Sequence, residues 1–386
     1  MISTRTLRPK KSLFWLSVFG SLMTLGLACQ AQEAEASKLK LSGFVSVVNG
    51  RVLSGTMDEN YTGVTSVNGV TCPCYTADWS NGGVYGSTYS MAPESRIGVQ
   101  ANYAASANLN LVAQLVSRGT DGTPDITWAY AGYKINRNWE VQLGRKRIPL
   151  YYYSDFQDIG VSYPWISPPP ELYGWDATNY NGGSLRFSTS LGDTNVAASV
   201  FGGRESIDKS PYNKLYLAGN TQVTWDNIVG SDLELSNGPL TVRAVYMRSN
   251  IRTVNADAAL DDSAGLKAYG IAANLDFDDW FVLSEITKLT RDNSTQGYSY
   301  AAPTFTVGAG VRLGKWTPFV NVAQYTEESS DLSLYTPQSY KRTSATLRYD
   351  LDSRSTVKAQ IDKHTDTTNN FGGNTTVFRL SFDRVF

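Results

Sequence analysis

Histidine is almost missing from this sequence: His364 is the only one among 386 residues. Serine and cysteine nucleophiles usually rely on a neighbouring histidine as their base. The sequence also has no nucleophile elbow, no HExxH pair and no glycine-rich phosphate loop. Since a lone histidine near a strand end is more often a structural residue than a base, we predict no catalytic residue and no cofactor. An enzyme that pairs a serine with a lysine is the alternative left open.

Cysteine is scarce as well, with three residues, too few for a fold held together by disulfide bonds. Cys72 and Cys74 flank a proline in the stretch "CPCY", and such a pair can close a small bridge in an oxidising compartment. Two ligands alone make a poor metal site. We therefore predict no metal centre, and we consider a loop disulfide between Cys72 and Cys74 with a local structural role.

Long apolar runs are confined to the N-terminus. Residues 1–31 combine four basic residues with the apolar stretch "SLFWLSVFGSLMTLGLA", the layout of a secretory signal peptide. Cleavage after Ala31 fits the small-residue rule. A lipoprotein signal that keeps Cys29 is the alternative, although Gly26 stands where such signals usually carry leucine. Residues 32–386 have no apolar run near about 18 residues, which excludes a helical membrane protein, and no linker, so we predict one domain there.

An excess of positive charge is also missing. Residues 1–31 carry four basic residues and no acidic one, so their removal leaves 30 Lys+Arg against 35 Asp+Glu, a net charge of about −5. A nucleic-acid-binding protein presents a basic face to the phosphates. The composition therefore predicts no nucleic-acid partner.

What the sequence does have is alternation with a period of two residues, which is typical of β-strands with two different faces. In "SRIGVQANYA", for example, Ile97, Val99 and Tyr103 alternate with Arg96 and Gln100. The stretches "SLRFSTSL", "LTVRAVYMRS" and "VFRLSFDRVF" behave in the same way. Because one face is so polar, a parallel sheet covered on both sides is excluded. A dry core on that face would cost several kcal/mol for each unpaired polar group.

Two kinds of connection alternate between these strands. Short polar turns are predicted near residues 106–108, 136–138, 192–194, 237–239, 277–279, 314–315 and 352–354. Longer loops are predicted near 56–94, 119–124, 147–181, 204–221, 255–265, 293–297, 329–339 and 368–373. Fifteen connections join sixteen strands. The predicted fold class is all-β: a 16-stranded antiparallel transmembrane β-barrel with short periplasmic turns, long extracellular loops and a water-filled interior.

Aromatic residues recur where such a barrel would meet the membrane surface. Trp139, Trp280 and Trp316 each begin a strand directly after a tight turn, as in the aromatic girdles of outer-membrane barrels. The last strand ends in Phe386, and this terminal aromatic residue resembles the assembly signal of bacterial outer-membrane proteins. We therefore predict export to a Gram-negative outer membrane and recognition of Phe386 by the barrel-assembly machinery.

The third long loop, "RIPLYYYSDFQDIGVSYPWISPPPELYGWDATNYN" at residues 147–181, is unusual in length and in its content of tyrosine and proline. Loops of this length are usually functional or disordered, and its aromatic residues argue against disorder. With "SRIGVQ" at 95–100, "WAYAGYKI" at 128–135, "VQLGRKRIP" at 141–149 and "PPELYG" at 169–174, the sequence resembles the general bacterial porins. These are 16-stranded trimeric channels whose third loop folds into the barrel and narrows it.

The resemblance covers roughly residues 95–187 and implies a constriction between a basic wall and an acidic loop, which creates a transverse field. The resemblance implies Arg96 and Arg145 for the wall, and Glu171 with its neighbour Tyr173 for the loop. Arg186, on the polar face, could replace a wall charge that the family has and this sequence lacks, and Asp155 or Asp158 could replace a loop acid. Each has a structural alternative: the arginines could merely solvate the wall, the acids could hold the loop down, and the tyrosine could pack it.

The sequence departs from the family at three positions. Thr127 and Tyr180 stand where relatives carry wall arginines, and Ser167 stands where they carry a second loop acid. The sign of the ion selectivity therefore stays open at this point.

The predicted function is passive diffusion of ions and small hydrophilic solutes through an outer-membrane porin. A substrate-selective porin for sugars, phosphate or organic acids, a plugged barrel for adhesion, and an outer-membrane hydrolase are the alternatives. The resemblance implies a homotrimer, with Trp128 and Tyr130 as candidate outward residues at the subunit contact. It also implies contact with the lipid bilayer and its lipopolysaccharide.

Overall fold

In the described residues, sixteen long strands follow one another around a single sheet, which also includes the two-residue strand Glu328–Ser329, and each long strand pairs antiparallel with its neighbours in sequence. The computed structural model describes residues 38–293 and 295–386, so the predicted signal peptide lies outside the described residues. The strands are β1 Leu39–Thr56, β2 Arg96–Ala104, β3 Leu109–Arg118, β4 Pro124–Lys134, β5 Trp139–Arg147, β6 Asn179–Leu191, β7 Thr194–Ile207, β8 Gln222–Asn237, β9 Leu240–Asn255, β10 Leu260–Asp276, β11 Trp280–Asn293, β12 Tyr298–Val311, β13 Trp316–Thr326, β14 Ser339–Asp352, β15 Ser355–Asp366 and β16 Asn374–Val385.

The first strand closes the sheet into a barrel because it pairs with both β2 and β16. At the closing seam, Phe44 lies opposite Val385, and the amide of Gly43 donates to the carbonyl oxygen of Phe386 at 2.7 Å. A closed ring leaves no free strand edge, which a membrane-spanning sheet requires. The predicted 16-stranded antiparallel barrel is confirmed.

Alternating side chains separate an apolar outer surface from a polar interior. On β16, Leu380 and Phe382 are 46% and 37% exposed on the outer surface, whereas Arg379 and Asp383 are buried inside. The same pattern places Ile271 of β10 outside, 51% exposed. Since apolar side chains point outward all around the ring, the surrounding medium that fits this surface is lipid.

A charge placed in the outer apolar band tests this orientation. We expect Ile271→Lys to destabilise the folded protein in lipid vesicles by about 2–4 kcal/mol, because a lysine near the bilayer midplane must leave water. The control is Lys267→Ala on the same strand and face, nearer the loop end, with a much smaller effect. Guanidinium titration of the folded protein in vesicles gives both values, and equal effects of the two substitutions would contradict the orientation.

Tight turns occupy one rim of the barrel, as predicted, and tryptophans mark it. Trp139, Trp280 and Trp316 start β5, β11 and β13 and remain 39–47% exposed. The ring of Trp280 stacks on Phe277 at 4.4 Å, and that of Trp316 packs on Tyr349 at 4.5 Å. This arrangement matches an aromatic belt at a membrane surface.

The other rim carries the longer connections, with one difference from prediction. Strands β9 and β10 extend further than expected, so residues 256–259 form a tight hairpin, whereas β11 ends at Asn293 and β12 begins at Tyr298, in agreement with the connection predicted near 293–297. The loops contain the 3-10 helices Ser154–Phe156, Gly160–Ser162 and Asn213–Leu215. Over residues 38–293 and 295–386, no helix is long and apolar enough to cross a membrane.

Candidate functional site

The third long loop, residues 148–178 between β5 and β6, lies inside the barrel. Trp165 and Leu172 in its middle are no more than 1% exposed. On β15, the amine of Lys358 donates to the carbonyl oxygens of Gly160 and Trp165, both at 2.5 Å. On β9, Arg243 donates to the carbonyl oxygen of Tyr151 at 2.8 Å. Because β9 and β15 are far apart in the ring, the loop spans the lumen.

Asp158 fixes the loop to one side of the barrel through three arginines. The Nη2 atom of Arg118 on β3 donates to both carboxylate oxygens of Asp158 at 2.9 Å. Arg147 donates to the same carboxylate, and the Nε atom of Arg96 on β2 donates to the backbone carbonyl oxygen of Asp158 at 2.8 Å. All four side chains are buried. A paired buried charge of this kind holds a loop firmly, because separating the ions would leave them unpaired.

The Asp158 anchor predicts how the loop responds to acid. Burial alone would raise the pKa of this carboxyl, but Arg118, Arg147 and Arg96 outweigh burial and hold the pKa below its ordinary value of 3.8. Such a group contributes stability above its unfolded pKa and loses it as the pH falls through the folded pKa. We therefore expect the Asp158 contribution to the guanidinium unfolding midpoint to stay constant from about pH 7 to 5 and to decline below about pH 4.

The comparison with Asp158→Asn isolates this contribution, because asparagine does not titrate. The difference between the two midpoints should shrink only in the acid range. A difference that already shrinks between about pH 7 and 5 would contradict the depressed pKa.

The tip of the loop is fixed to the wall at β14 by a chain of buried ions that continues along β15 and β16. Glu171 pairs with Arg342 on β14 at 3.0 Å, and both side chains are 0% exposed. Arg342 also pairs with Asp362 on β15 at 2.8 Å, and Asp362 pairs with Arg379 on β16 at 2.8 Å. Arg379 continues the chain to Glu94, which precedes β2, at 2.6 Å. The tip is therefore tied to three adjacent wall strands.

The tyrosines pack the loop and anchor it through hydroxyl and amide groups. Tyr173 donates its hydroxyl to Oε2 of Glu285 on β11 at 2.6 Å, and the amide of Tyr152 donates to Oε1 at 3.0 Å. The ring of Tyr173 packs against Tyr151 at 4.6 Å and lies 6.3 Å from that of Tyr153. These contacts support the alternative role for Tyr173, which is to pack the loop.

A second group of charged side chains faces the lumen while keeping partial contact with water. We call it the passage cluster, and its members are Glu140, Lys146, Asp155, Arg186, Asp232, Glu234 and Arg243. Except for Asp155 on the loop, these residues lie on strands β5, β6, β8 and β9. The buried anchors lie mainly on β2, β3 and β14 to β16. The passage cluster therefore lies on a part of the wall, β5 to β9, that holds few of these buried anchors.

Within the passage cluster, Arg243 pairs with Asp232 at 3.5 Å, and the other five charged side chains form no ion pair among the described residues. Lys146 donates to Gln142 and Ser184 of the wall, and it interacts electrostatically with Asp155 and Arg186. Among the residues that the structure describes, Asp155 and Arg186 form no ion pair. Hydrated charges of both signs at the edge of a fixed loop are what an aqueous passage needs to order water and attract small polar solutes.

The structure places the predicted wall arginines in three different environments. Arg186 lies opposite Glu140 on the inner face and is exposed there. Arg96 faces inward but is only 8% exposed, because the loop covers it. Arg145 does not line the constriction: alternation puts Lys146 inside and Arg145 outside, opposite the exposed residue Ala129.

The guanidinium group of Arg145 has its own partners on the wall. It donates to the carbonyl oxygen of Ile126 at 2.7 Å and to Glu205 at 2.6 Å. At the three positions where the sequence departs from the general porins, the side chains also make polar or packing contacts. Thr127 donates to Gln114 at 2.7 Å, and Tyr180 packs on Phe201, while Ser167 accepts a bond from Arg96.

Trp128 and Tyr130 face the lumen, so their prediction as outward residues at a subunit contact is wrong. A bulge at Thr127 shifts the register of β4 against β3 and places Trp128 opposite the inward residue Gln114. The rings of Trp128 and Tyr130 lie together on that face at 5.9 Å. The amine of Lys146 lies 5.4 Å from the centre of the Tyr130 ring. An inserted residue reverses the faces of the strand beyond it.

The first long loop, residues 57–95, also folds into the barrel, which the sequence did not predict. Tyr75 and Tyr85 are no more than 1% exposed, and Trp79 is 4% exposed. The loop contains Cys72 and Cys74, which are joined by a disulfide bond. The lumen is therefore filled by two loops rather than by one.

Sequence reasoning also missed most of the inner-wall ions that hold these loops. Arg342, Lys358, Asp362 and Arg379 are all no more than 1% exposed. Their sequence signal was the alternation itself, since each lies at an inward position of β14, β15 or β16. Alternation identifies the inner face, but it does not say which inner charges a loop will cover.

Comparison with solved structures shows the same architecture at low sequence identity. The outer-membrane channel DcaP of Acinetobacter baumannii superposes with a TM-score of 0.59 at 13% identity, covering 93% of this chain and 100% of that one. OmpT, an outer-membrane protein of Vibrio cholerae, gives a TM-score of 0.57 at 11% identity over 92% and 100%. An anion-selective porin from Comamonas acidovorans gives 0.56 at 13% identity over 90% and 99%.

The chain has the fold of the outer-membrane porins. No protein-family model and no curated protein matches the sequence. The comparisons therefore show the porin fold and do not assign the chain to a particular type of porin. The relation to the general bacterial porins stays a resemblance of short stretches. In the described part of this porin fold, no group of three or more His, Cys, Asp or Glu side chains is placed to hold a metal ion.

Proposed function

We propose that the protein is an outer-membrane porin, a passive diffusion channel for ions and small hydrophilic solutes. The observation that carries this proposal is the passage cluster: hydrated charges of both signs that line the edge of a buried, firmly anchored loop. An anchored loop sets a size limit for solutes, and opposed charges at its edge favour small polar ones. Flux through such a passage follows the gradient and needs no covalent chemistry.

The surroundings of the single histidine support a channel rather than an enzyme. His364 is 8% exposed and packs between the rings of Tyr75 at 5.5 Å and Tyr340 at 5.4 Å. A general base must lie within hydrogen-bond reach of a nucleophile that substrate can approach. His364 instead occupies the packed region between the first loop and the wall.

The charges of the passage cluster suggest a slight preference for cations. Four acidic and three basic side chains make up the cluster. We expect Asp155→Asn to shift the zero-current potential under a salt gradient toward anion preference, and Lys146→Gln to shift it toward cation preference. Each substitution removes one charge from the same water-filled space. Asp193→Asn, which removes an exposed acid from a tight turn outside the cluster, is the control, and a shift as large as that of Asp155→Asn would contradict the assignment.

Conductance in a planar bilayer tests the function itself. Purified, folded protein should insert in discrete steps and carry a steady current under a tenfold KCl gradient. Steps in groups of three would support the proposed homotrimer. Folded protein that inserts without any conductance would overturn the channel proposal and favour a plugged barrel.

The proposed location is the Gram-negative outer membrane, with lipopolysaccharide among the surrounding lipids. Arg248, Lys267 and Lys288 project outward on the adjacent strands β9, β10 and β11, and Arg248 lies directly opposite Lys267. Like charges facing each other across strands are destabilising unless an anion lies between them, and lipid phosphates would supply that anion. Phe386, hydrogen-bonded at the closing seam, remains the proposed signal for the assembly machinery.

A further inference from the structure

The first loop carries a tryptophan that connects distant parts of the barrel mouth. The indole of Trp79 stacks on Tyr340 of β14 at 5.5 Å with an interplanar angle of 13°. It also stacks on Tyr216, in the connection between β7 and β8, at 6.2 Å with an angle of 23°. Phe371, between β15 and β16, lies 4.9 Å away.

These partners come from opposite sides of the ring. Strand β14 and the β7–β8 connection lie almost across from each other among the sixteen strands. The β7–β8 connection reaches across the mouth, because Tyr216 also packs on Phe371 at 5.3 Å, and the indole of Trp79 joins this connection to Tyr340 on the wall. We call this group the aromatic roof, and its members are Trp79, Tyr212, Tyr216, Tyr340 and Phe371.

The aromatic roof rests directly on the third loop. Ser80 donates its hydroxyl to the carbonyl oxygen of Trp175 at 2.7 Å and lies 3.3 Å from that of Tyr173. Gly174 allows this close approach, since a Cβ atom there would lie 2.8 Å from the Cδ1 atom of Trp79. The two in-folded loops thus form one packed layer.

The base of the first loop is held by the inner wall. Glu94 pairs with Arg379 at 2.6 Å, and both side chains are 1% exposed. Gly50 of β1 and Ser90 exchange backbone hydrogen bonds at 3.1 and 2.9 Å. These contacts restrict the first loop to the lumen.

We propose that the first loop is a second size filter of this channel, with Trp79 as its specificity-determining residue. Solutes that enter from the loop side must pass beside the aromatic roof before they reach the passage cluster. The aromatic rings are large and closely packed, so they exclude solutes by size, while the passage cluster discriminates by charge. This inference rests on the proposed channel function.

The test compares wild type with Trp79→Ala and with a chain whose residues 66–86 are replaced by a short Gly-Ser linker. Single-channel conductance should rise by about twofold or more in both variants. Vesicles that contain either variant should swell faster in a neutral trisaccharide, which measures the size limit directly. Trp139→Ala, in the girdle on the outer surface, is the matched control and should leave both quantities unchanged.

Two results separate the second filter from the channel function itself. If wild type conducts and both variants show the same conductance and the same swelling rate as wild type, the second filter alone is overturned. Absence of conductance in wild type and in both variants, with all three proteins folded, would overturn the proposed channel function instead. Trp79→Phe keeps a ring in the roof and should stay closer to wild type than Trp79→Ala.

Discussion

Asp158→Asn is expected to lower the free energy of unfolding by about 3–5 kcal/mol, because it leaves buried arginines without their counter-ion. Arg118 and Arg147 donate to this carboxylate from two different strands, so one substitution disturbs both anchors. Asparagine has nearly the same volume, and the loss is therefore electrostatic rather than a packing defect. Guanidinium unfolding of the protein in lipid vesicles measures it.

The same substitution should change the current. With its anchor weakened, the third loop fluctuates, so single-channel records should become noisier and the mean conductance should rise. Asp155→Asn is the matched control, since Asp155 lies on the same loop but is half-exposed. It should change the free energy of unfolding by less than about 0.5 kcal/mol. Equal stability losses in the two variants would contradict the anchoring role of Asp158.

Asp362→Asn is expected to release both in-folded loops together. Asp362 lies between Arg342, which holds Glu171 of the third loop, and Arg379, which holds Glu94 of the first loop. Ser344 also donates to its Oδ1 atom at 2.6 Å. Loss of this shared counter-ion should cost about 3–5 kcal/mol.

The conductance change should exceed that of Asp158→Asn, because two loops rather than one lose a support. Asp193→Asn, in an exposed turn, is the control and should behave as wild type in both measurements. Conductance and stability that remain unchanged in Asp362→Asn would show that the ion chain does not hold the loops.

The barrel could be predicted from the sequence because each strand has a local sequence pattern. Alternation identifies each strand, and the turn residues between strands fix their number without reference to distant contacts. β16 illustrates this: Leu380 and Phe382 face out and Arg379 faces in, as the pattern alone indicates. The in-folded third loop was also predicted, from its length and from its resemblance to the porins.

The partners of the loop could not be predicted, because they depend on where the loop comes to rest. Arg96 and Glu171 were expected to line the pore. The loop instead covers Arg96, and Glu171 on the loop is buried against Arg342 of the wall. Arg145 was assigned by resemblance, whereas the alternation around Lys146 places it outside. The reversed faces of Trp128 and Tyr130 follow from one inserted residue, which no local pattern reveals.

The first loop was missed for a similar reason. Its sequence has no period and no motif beyond the two cysteines, and its burial depends on rings from other connections, such as Tyr216 and Phe371. Such long-range contacts become visible only when the strands that carry them are in place.

The position of the passage is tested most directly by blocking it. Arg186→Cys places a thiol in the passage cluster, and a bulky thiol-reactive reagent added during recording should lower the conductance in steps. Thr295→Cys, in an exposed connection away from the cluster, should react without any change in current. Reduced current in Arg186→Cys alone is the predicted result. Complete labelling of Arg186→Cys with an unaltered current would contradict a passage along β5 to β9.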